Sequence, residues 1–246
     1  MTTLLQLSGV SRHFGGLKAV SSLDLSVDRG EVIGLIGPNG AGKTTLINLI
    51  TGVHPATAGT VRFAGEDVTR QQPWQAARRG IARTFQIVQP FPEMTVLENV
   101  TAAALFAGGL AYGERAEAAA LEHLEFVGLA DVAGKRASTL TLAMRKRLEL
   151  AKGLAMNPKL LLLDEVNAGL HSTEIDHALA LIRAIAARGV TILIIEHLMK
   201  VVLNLCSRIV VLHHGELIAS GDPQSIVRDP RVVQAYLGRR YADASH

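Results

Sequence analysis

The sequence predicts an α/β fold, and three observations carry that expectation. Short, predominantly apolar runs occur at 160–163 and 191–195, amphipathic helical stretches separate such runs, and a glycine-rich loop sits between a strand pattern and a helix pattern. Apolar runs of this length suit parallel strands covered on both faces. A chain of 246 residues fits one large α/β domain, or one with an embedded subdomain.

Taken in order, the first thirty residues read as antiparallel strands, with Leu23, Leu25 and Val27 alternating against Asp24 and Ser26 before a turn at Asp28-Arg29-Gly30. A buried strand is expected at 32–36, then the glycine-rich loop, then a helix to about Ile50. Further strands are expected at 60–63 and 81–85. From Thr95 to about Arg147 the chain is alanine-rich and helical, opened by Thr95 and Glu98 at capping-box spacing. This stretch reads as an inserted helical subdomain. Strand 160–163, a helix over 173–187 and strand 190–195 resume the α/β pattern, and a hairpin at His213-His214-Gly215 and two short helices end it.

No apolar run approaches the roughly 18 to 20 residues needed to span a bilayer. The N-terminal stretch carries no secretory-signal pattern, and Cys206, the single cysteine, cannot form an internal disulfide. Both point to a reducing cytosol. The net charge of +3 comes from 25 basic and 22 acidic residues that are interspersed, which reads as a solvated surface and not as a nucleic-acid-binding one.

The chemistry is concentrated in two motifs. Gly37-Pro38-Asn39-Gly40-Ala41-Gly42-Lys43-Thr44 matches GxxxxGK[ST] in full, with Thr45 following. Its glycines permit a loop whose backbone N–H groups converge on phosphate oxygens at a helix N-terminus. Lys43 is expected to neutralise the β and γ phosphates of a nucleotide, and Thr44 to ligate Mg²⁺, which leaves GTPases, kinases and motor ATPases all open. The strand at 160–163 ends in Asp164-Glu165, which places one carboxylate for the metal shell and the next for orienting and deprotonating a water. Adjacent His213 and His214 lack the spacing of a helical ligand pair and read as structural.

The remaining motifs resemble those of the ABC ATPases, in that family's order and over nearly the whole chain. Thr84-Phe85-Gln86 looks like the glutamine loop, Ala168-Gly169-Leu170-His171 occupies the place of the D-loop, and Ile195-Glu196-His197 resembles the switch-histidine loop. The resemblance implies that Gln86 contacts Mg²⁺ or the lytic water, that His197 bonds the γ-phosphate, and that Phe14 stacks on adenine. It also implies a P-loop ABC ATPase fold with an N-terminal antiparallel β subdomain, one domain over 1–246, an ATP-binding core at 1–86 and 149–246 and a helical subdomain at 87–148. The signature LSGGQ of that family falls at Leu140-Thr141-Leu142-Ala143-Met144, which keeps a hydroxyl at Thr141 and lacks both glycines and the glutamine. Val166 and His171 also depart from the usual Pro and Asp.

Four stretches are similar to the ATPases of branched-chain and other hydrophobic amino-acid importers: 14–20, Gly80-Ile81-Ala82-Arg83-Thr84-Phe85-Gln86, Met94-Thr95-Val96-Leu97-Glu98-Asn99 and Ala235-Tyr236-Leu237-Gly238. Urea or amide importers share much of this pattern. The partners so implied are a second ABC ATPase subunit, identical or different, two integral membrane permease subunits, and indirectly an extracytoplasmic solute-binding protein, at the cytoplasmic face of the inner membrane. A permease groove is expected at Val88, Phe91 and Met94. A soluble ABC ATPase acting on ribosomes or DNA is disfavoured by the single cassette without sustained heptads, and a GTPase by the lack of an NKxD motif.

Overall fold

In the computed structural model, which describes residues 2–109 and 113–237, the chain divides into two compact units: Met1–Pro73 with Thr191–His246, and Trp74–Val190. The first opens with β1 (Thr3–Phe14) and β2 (Leu17–Asp28), paired antiparallel from Thr3↔Asp28 to Phe14↔Leu17. Leu23, Leu25 and Val27 point to the core while Asp24 and Ser26 face solvent, the period-two pattern of a strand covered on one side. After β3 (Val32–Ile36) and the glycine-rich loop, α1 (Lys43–Ile50) buries Leu46, Ile47, Leu49 and Ile50. β4 (Ala58–Phe63) and β5 (Glu66–Asp67) complete a sheet of order β2-β1-β4-β5.

The second unit holds α2 (Pro73–Arg79) after its starting proline, then β6 (Ile81–Arg83), α3 (Val96–Phe106), α4 (Glu114–Phe126), α5 (Leu142–Ala155), β7 (Leu160–Asp164) and α6 (Ser172–Ala187). The capping box at α3 forms as its spacing requires: Thr95 N–H donates to Glu98 Oε2 at 2.7 Å and Glu98 N–H to Thr95 Oγ1 at 3.1 Å. Helices α3, α4 and α5 pack on one another over Val100, Ala104, Ala116, Ala120, Leu124 and Leu148, small side chains letting the backbones approach. α5 runs unbroken to Ala155, past the edge expected for the helical subdomain at residue 148. β6 pairs in parallel with β7, whose five residues are all buried. The strand expected at 81–85 ends at Arg83, because the chain then turns to tie its next residues to the end of β7.

Returning to the first unit, the chain forms β8 (Thr191–Ile195), α7 (Met199–Leu205), β9 (Arg208–His213), β10 (Glu216–Gly221), α8 (Pro223–Arg228) and α9 (Pro230–Leu237). β8 and β9 flank β3 in parallel, and β10 pairs antiparallel with β9. The hairpin between them turns on His214 and Gly215, at φ 49° and 81°, the left-handed pair a two-residue turn needs. Within this layer Gly34 is closely packed: a Cβ there would meet the Val202 side chain at 2.8 Å and the Cys206 sulfur at 3.0 Å. Cys206 itself is buried. No helix among the described residues is long and apolar enough to cross a membrane.

Candidate nucleotide and catalytic site

The phosphate loop leaves the C-terminal end of β3, and His197 follows β8 beside it, since Leu35 pairs with Ile195 and each loop starts within two residues of that rung. Loops at this edge of a parallel sheet are where α/β folds bind ligands. Gly37, Gly40 and Gly42 hold φ of 151°, 77° and 104°. A Cβ at Gly37 would lie 2.2 Å from the Leu212 carbonyl oxygen, and one at Gly42 would lie 2.4 Å from that of Ala19. Backbone geometry thus favours glycine at all three positions, and crowding adds to it at Gly37 and Gly42. Lys43, which begins α1 and is buried, donates its ammonium to the carbonyls of Gly37 at 2.7 Å and Pro38 at 3.1 Å. Thr44 is exposed on the first turn, Thr45 half-buried behind it, and Pro38, Asn39 and Ala41 complete the loop.

Two aromatic residues of this unit were singled out from the sequence. Phe14 ends β1 with 39% of its surface exposed, edge-on to His54 at 5.3 Å and with the Arg12 guanidinium 4.5 Å from its ring centre. Tyr236 on α9 accepts the backbone N–H of Gly37, although burial still holds the phenol above its ordinary pKa. Tyr236 belongs to the stretch 235–238 that the sequence singled out, whose Gly238 lies outside the described residues.

In the second unit Asp164 closes β7 and is 4% exposed. Its carboxylate pairs with Arg83 at 2.8 Å, and its N–H donates to the Thr84 hydroxyl at 3.3 Å. Glu165 follows in the left-handed region at φ 49°, a conformation that costs a side-chain-bearing residue of order 1 kcal/mol. That turn aims the carboxylate at Gln86, whose Nε2 donates to it, while Lys146 Nζ reaches the Glu165 carbonyl at 3.3 Å. Gln86, Asp164 and Glu165 are thus brought together. Thr141 stands apart from them as the N-cap of α5, its hydroxyl accepting Met144 N–H at 3.3 Å. Buried Val166 helps line a cavity of about 450 Å³ with Met144, Leu150, Leu170 and Leu181. His171 caps α6 by donating its N–H to Glu174 at 2.9 Å. Three or more His, Cys, Asp or Glu side chains do not gather into a metal-binding cluster among the described residues.

Arg83 and Lys146 were not identified from sequence as site residues; each meets its partner only through folding. The loop after β6 leaves Phe85, Ile87 and Phe91 exposed by 55%, 72% and 56%, while Val88 and Met94 are half-buried. Asn99 holds that loop, accepting Phe91 N–H at 2.9 Å and donating to its carbonyl at 3.1 Å.

Comparison with known proteins agrees with these features. Residues 20–168 match the ABC transporter family and residues 216–242 match the family described as branched-chain amino acid ATP-binding cassette transporter. The chain is 40% identical over 250 residues to the high-affinity branched-chain amino acid transport ATP-binding protein BraF of Pseudomonas aeruginosa, covering 96% of this chain and 98% of that one. It is equally 40% identical over 251 residues to LivG of Escherichia coli K12, a protein of the same description, at 96% and 98% coverage. Among solved structures, the ADP conformation of an ATP-binding cassette of an ABC transporter superposes with a TM-score of 0.89 at 34% identity, over 97% of this chain and all of that one. A nucleotide-free cassette gives 0.88 at 33% identity, with the same coverage. The chain belongs to the ABC transporter family, as an ATP-binding cassette ATPase.

Proposed function

We propose that the chain is the ATP-hydrolysing subunit of an importer for branched-chain or other hydrophobic amino acids, seated on the cytoplasmic face of the inner membrane against two permease subunits. A second ATPase subunit and an extracytoplasmic solute-binding protein complete the assembly. The observation that carries the catalytic reading is the left-handed turn at Glu165, which aims a carboxylate at Gln86 directly after a buried Asp. The solute class is supported by the relatives at 40% identity.

The residue types proposed for Mg²⁺ suit it chemically: the Thr44 hydroxyl, the Asp164 carboxylate and the Gln86 amide would each offer the hard oxygen that ion takes. When bound, Mg²⁺ supplies charge neutralisation to the β and γ phosphates. Lys43 exchanges the carbonyls of Gly37 and Pro38 for phosphate oxygens, and the N–H groups of residues 39–45 cradle the rest. Phe14 offers its exposed face to adenine. Glu165 takes a proton from water as that oxygen attacks the γ-phosphorus and the bond to the bridging oxygen breaks, and His197 holds the water and the γ-phosphate. The Gln86 bond to Glu165 ties the base to the loop that carries Phe85, Ile87 and Phe91. That exposed apolar loop, at the start of the helical subdomain of residues 87–148, forms the permease groove.

Reconstitution of the chain with its permease pair in proteoliposomes tests this reading. ATP-dependent uptake of leucine, isoleucine and valine is the expected result. Uptake of urea or amides alone moves the chain to that importer class, and co-sedimentation with ribosomes without a membrane partner overturns the transport reading. Phe91→Asp should abolish uptake while ATP binding by the isolated chain persists; loss of folding instead would show Phe91 to be packing.

A further inference from the structure

The segment 83–86 is tied to both acidic residues that follow β7. Arg83 Nη2 donates to Asp164 Oδ2 at 2.8 Å, and the two side chains are only 11% and 6% exposed. Thr84 accepts the Asp164 N–H at 3.3 Å and donates its own N–H to the Leu162 carbonyl at 2.9 Å. Gln86 then reaches Glu165. The same Arg83 guanidinium also lies 5.0 Å from the ring centre of Phe85, which is 55% exposed. One cation therefore touches a buried carboxylate on one side and an exposed aromatic of the glutamine segment on the other.

A carboxylate this buried needs a counter-charge, and leaving it without one is strongly destabilising. Arg83 supplies that charge when no metal is bound. A divalent cation taking Asp164 into its shell would supply the same charge, so the two compete for one group. We propose that Arg83 is a positioning residue that holds Asp164 in the metal-free state and loosens when a divalent cation engages that carboxylate, which releases Phe85. This rests on the reading of Asp164 as the metal carboxylate. It makes metal arrival legible to the exposed loop through a single side chain, independently of the γ-phosphate.

Two measurements on the full chain test it. The first is binding of Mn²⁺ in the presence of ADP, followed by the electron paramagnetic resonance of the free ion. Arg83→Gln keeps a hydrogen-bond donor toward Asp164 and removes the charge, so its Mn²⁺ affinity should rise about tenfold while ADP binding in EDTA stays within about twofold. Arg83→Lys should stay near the parent. The second is the indole fluorescence of Phe85→Trp in a Trp74→Phe background, which should change when Mg²⁺ is added to the ADP-bound chain and be shifted in advance by Arg83→Gln. If Arg83→Gln does not fold, the indole signal of Phe85→Trp carries the test alone. Unchanged or weaker Mn²⁺ binding in Arg83→Gln, or an indole signal blind to Mg²⁺, overturns the inference. Asp164→Asn separates the two layers: if it leaves Mn²⁺ affinity intact, the metal reading of Asp164 fails, whereas if it loses Mn²⁺ and Arg83→Gln gains none, only the role of Arg83 fails.

Discussion

Two helices of this chain begin at segments the family uses around phosphate, and they begin differently. α1 starts after Gly42, which is left-handed at φ 104° and offers no side-chain cap, so no side chain of the cap residue competes for the N–H groups of its first turn. α5 starts after Thr141, whose hydroxyl takes the Met144 N–H at 3.3 Å, and the segment 140–144 contains no glycine. The first start leaves its donors for a ligand, whereas the second spends one on itself and surrounds the others with Cβ atoms. Phosphate recognition by backbone thus depends less on having a helix N-terminus than on leaving it unsatisfied.

The comparison breaks most visibly at the α1 start. Gly42→Ala places a Cβ 2.4 Å from the Ala19 carbonyl at a positive φ, and ATP affinity measured by calorimetry should fall at least about a hundredfold. Lys43→Ala should abolish measurable ATP binding. Glu165→Gln should keep ATP affinity within about twofold while lowering kcat by about 10² to 10⁴; normal turnover would remove Glu165 from the role of base.

The α5 start gives smaller effects. In a head-to-tail pair with a different subunit bearing an intact signature, Glu165→Gln should remove nearly all hydrolysis, and the equivalent change in the partner should remove little, because fewer flexible N–H donors face that site. Equal losses would show that residues 140–144 are a tolerated variant and that the contrast between the helix starts has no kinetic meaning. Thr141→Ala should cost about 1 kcal/mol through the lost cap, seen as a fall of about 2–4 °C in Tm.

The same contrast explains what could be read in the sequence. The phosphate loop was legible because positive φ and crowding admit glycine almost alone, so geometry leaves a mark on residue type. The strand end at Asp164 and Glu165 was legible because an uninterrupted apolar run stops there at two acids. Arg83 was not, since its partner is 81 positions away and no spacing rule links them. Nor was the left-handed turn at Glu165, which is set by its surroundings and not by its side chain. The strand at 81–83 read two residues too long for a related reason, because Thr84 and Gln86 are claimed by the end of β7. The segment expected to meet a permease shows the limit of apolar counting: of Val88, Phe91 and Met94 only Phe91 is fully exposed, Val88 and Met94 are half-buried, and Phe85 and Ile87 are exposed instead.

Cys206 carries a practical consequence. Burial, with Glu196 nearby, pushes its thiol up to about 12, well away from the thiolate form that alkylating reagents attack. The chain has no other cysteine. The wild-type protein is therefore already a silent background for site-directed labelling, and a thiol introduced at Phe91 or Leu142 would report its own accessibility during turnover without first removing a native one.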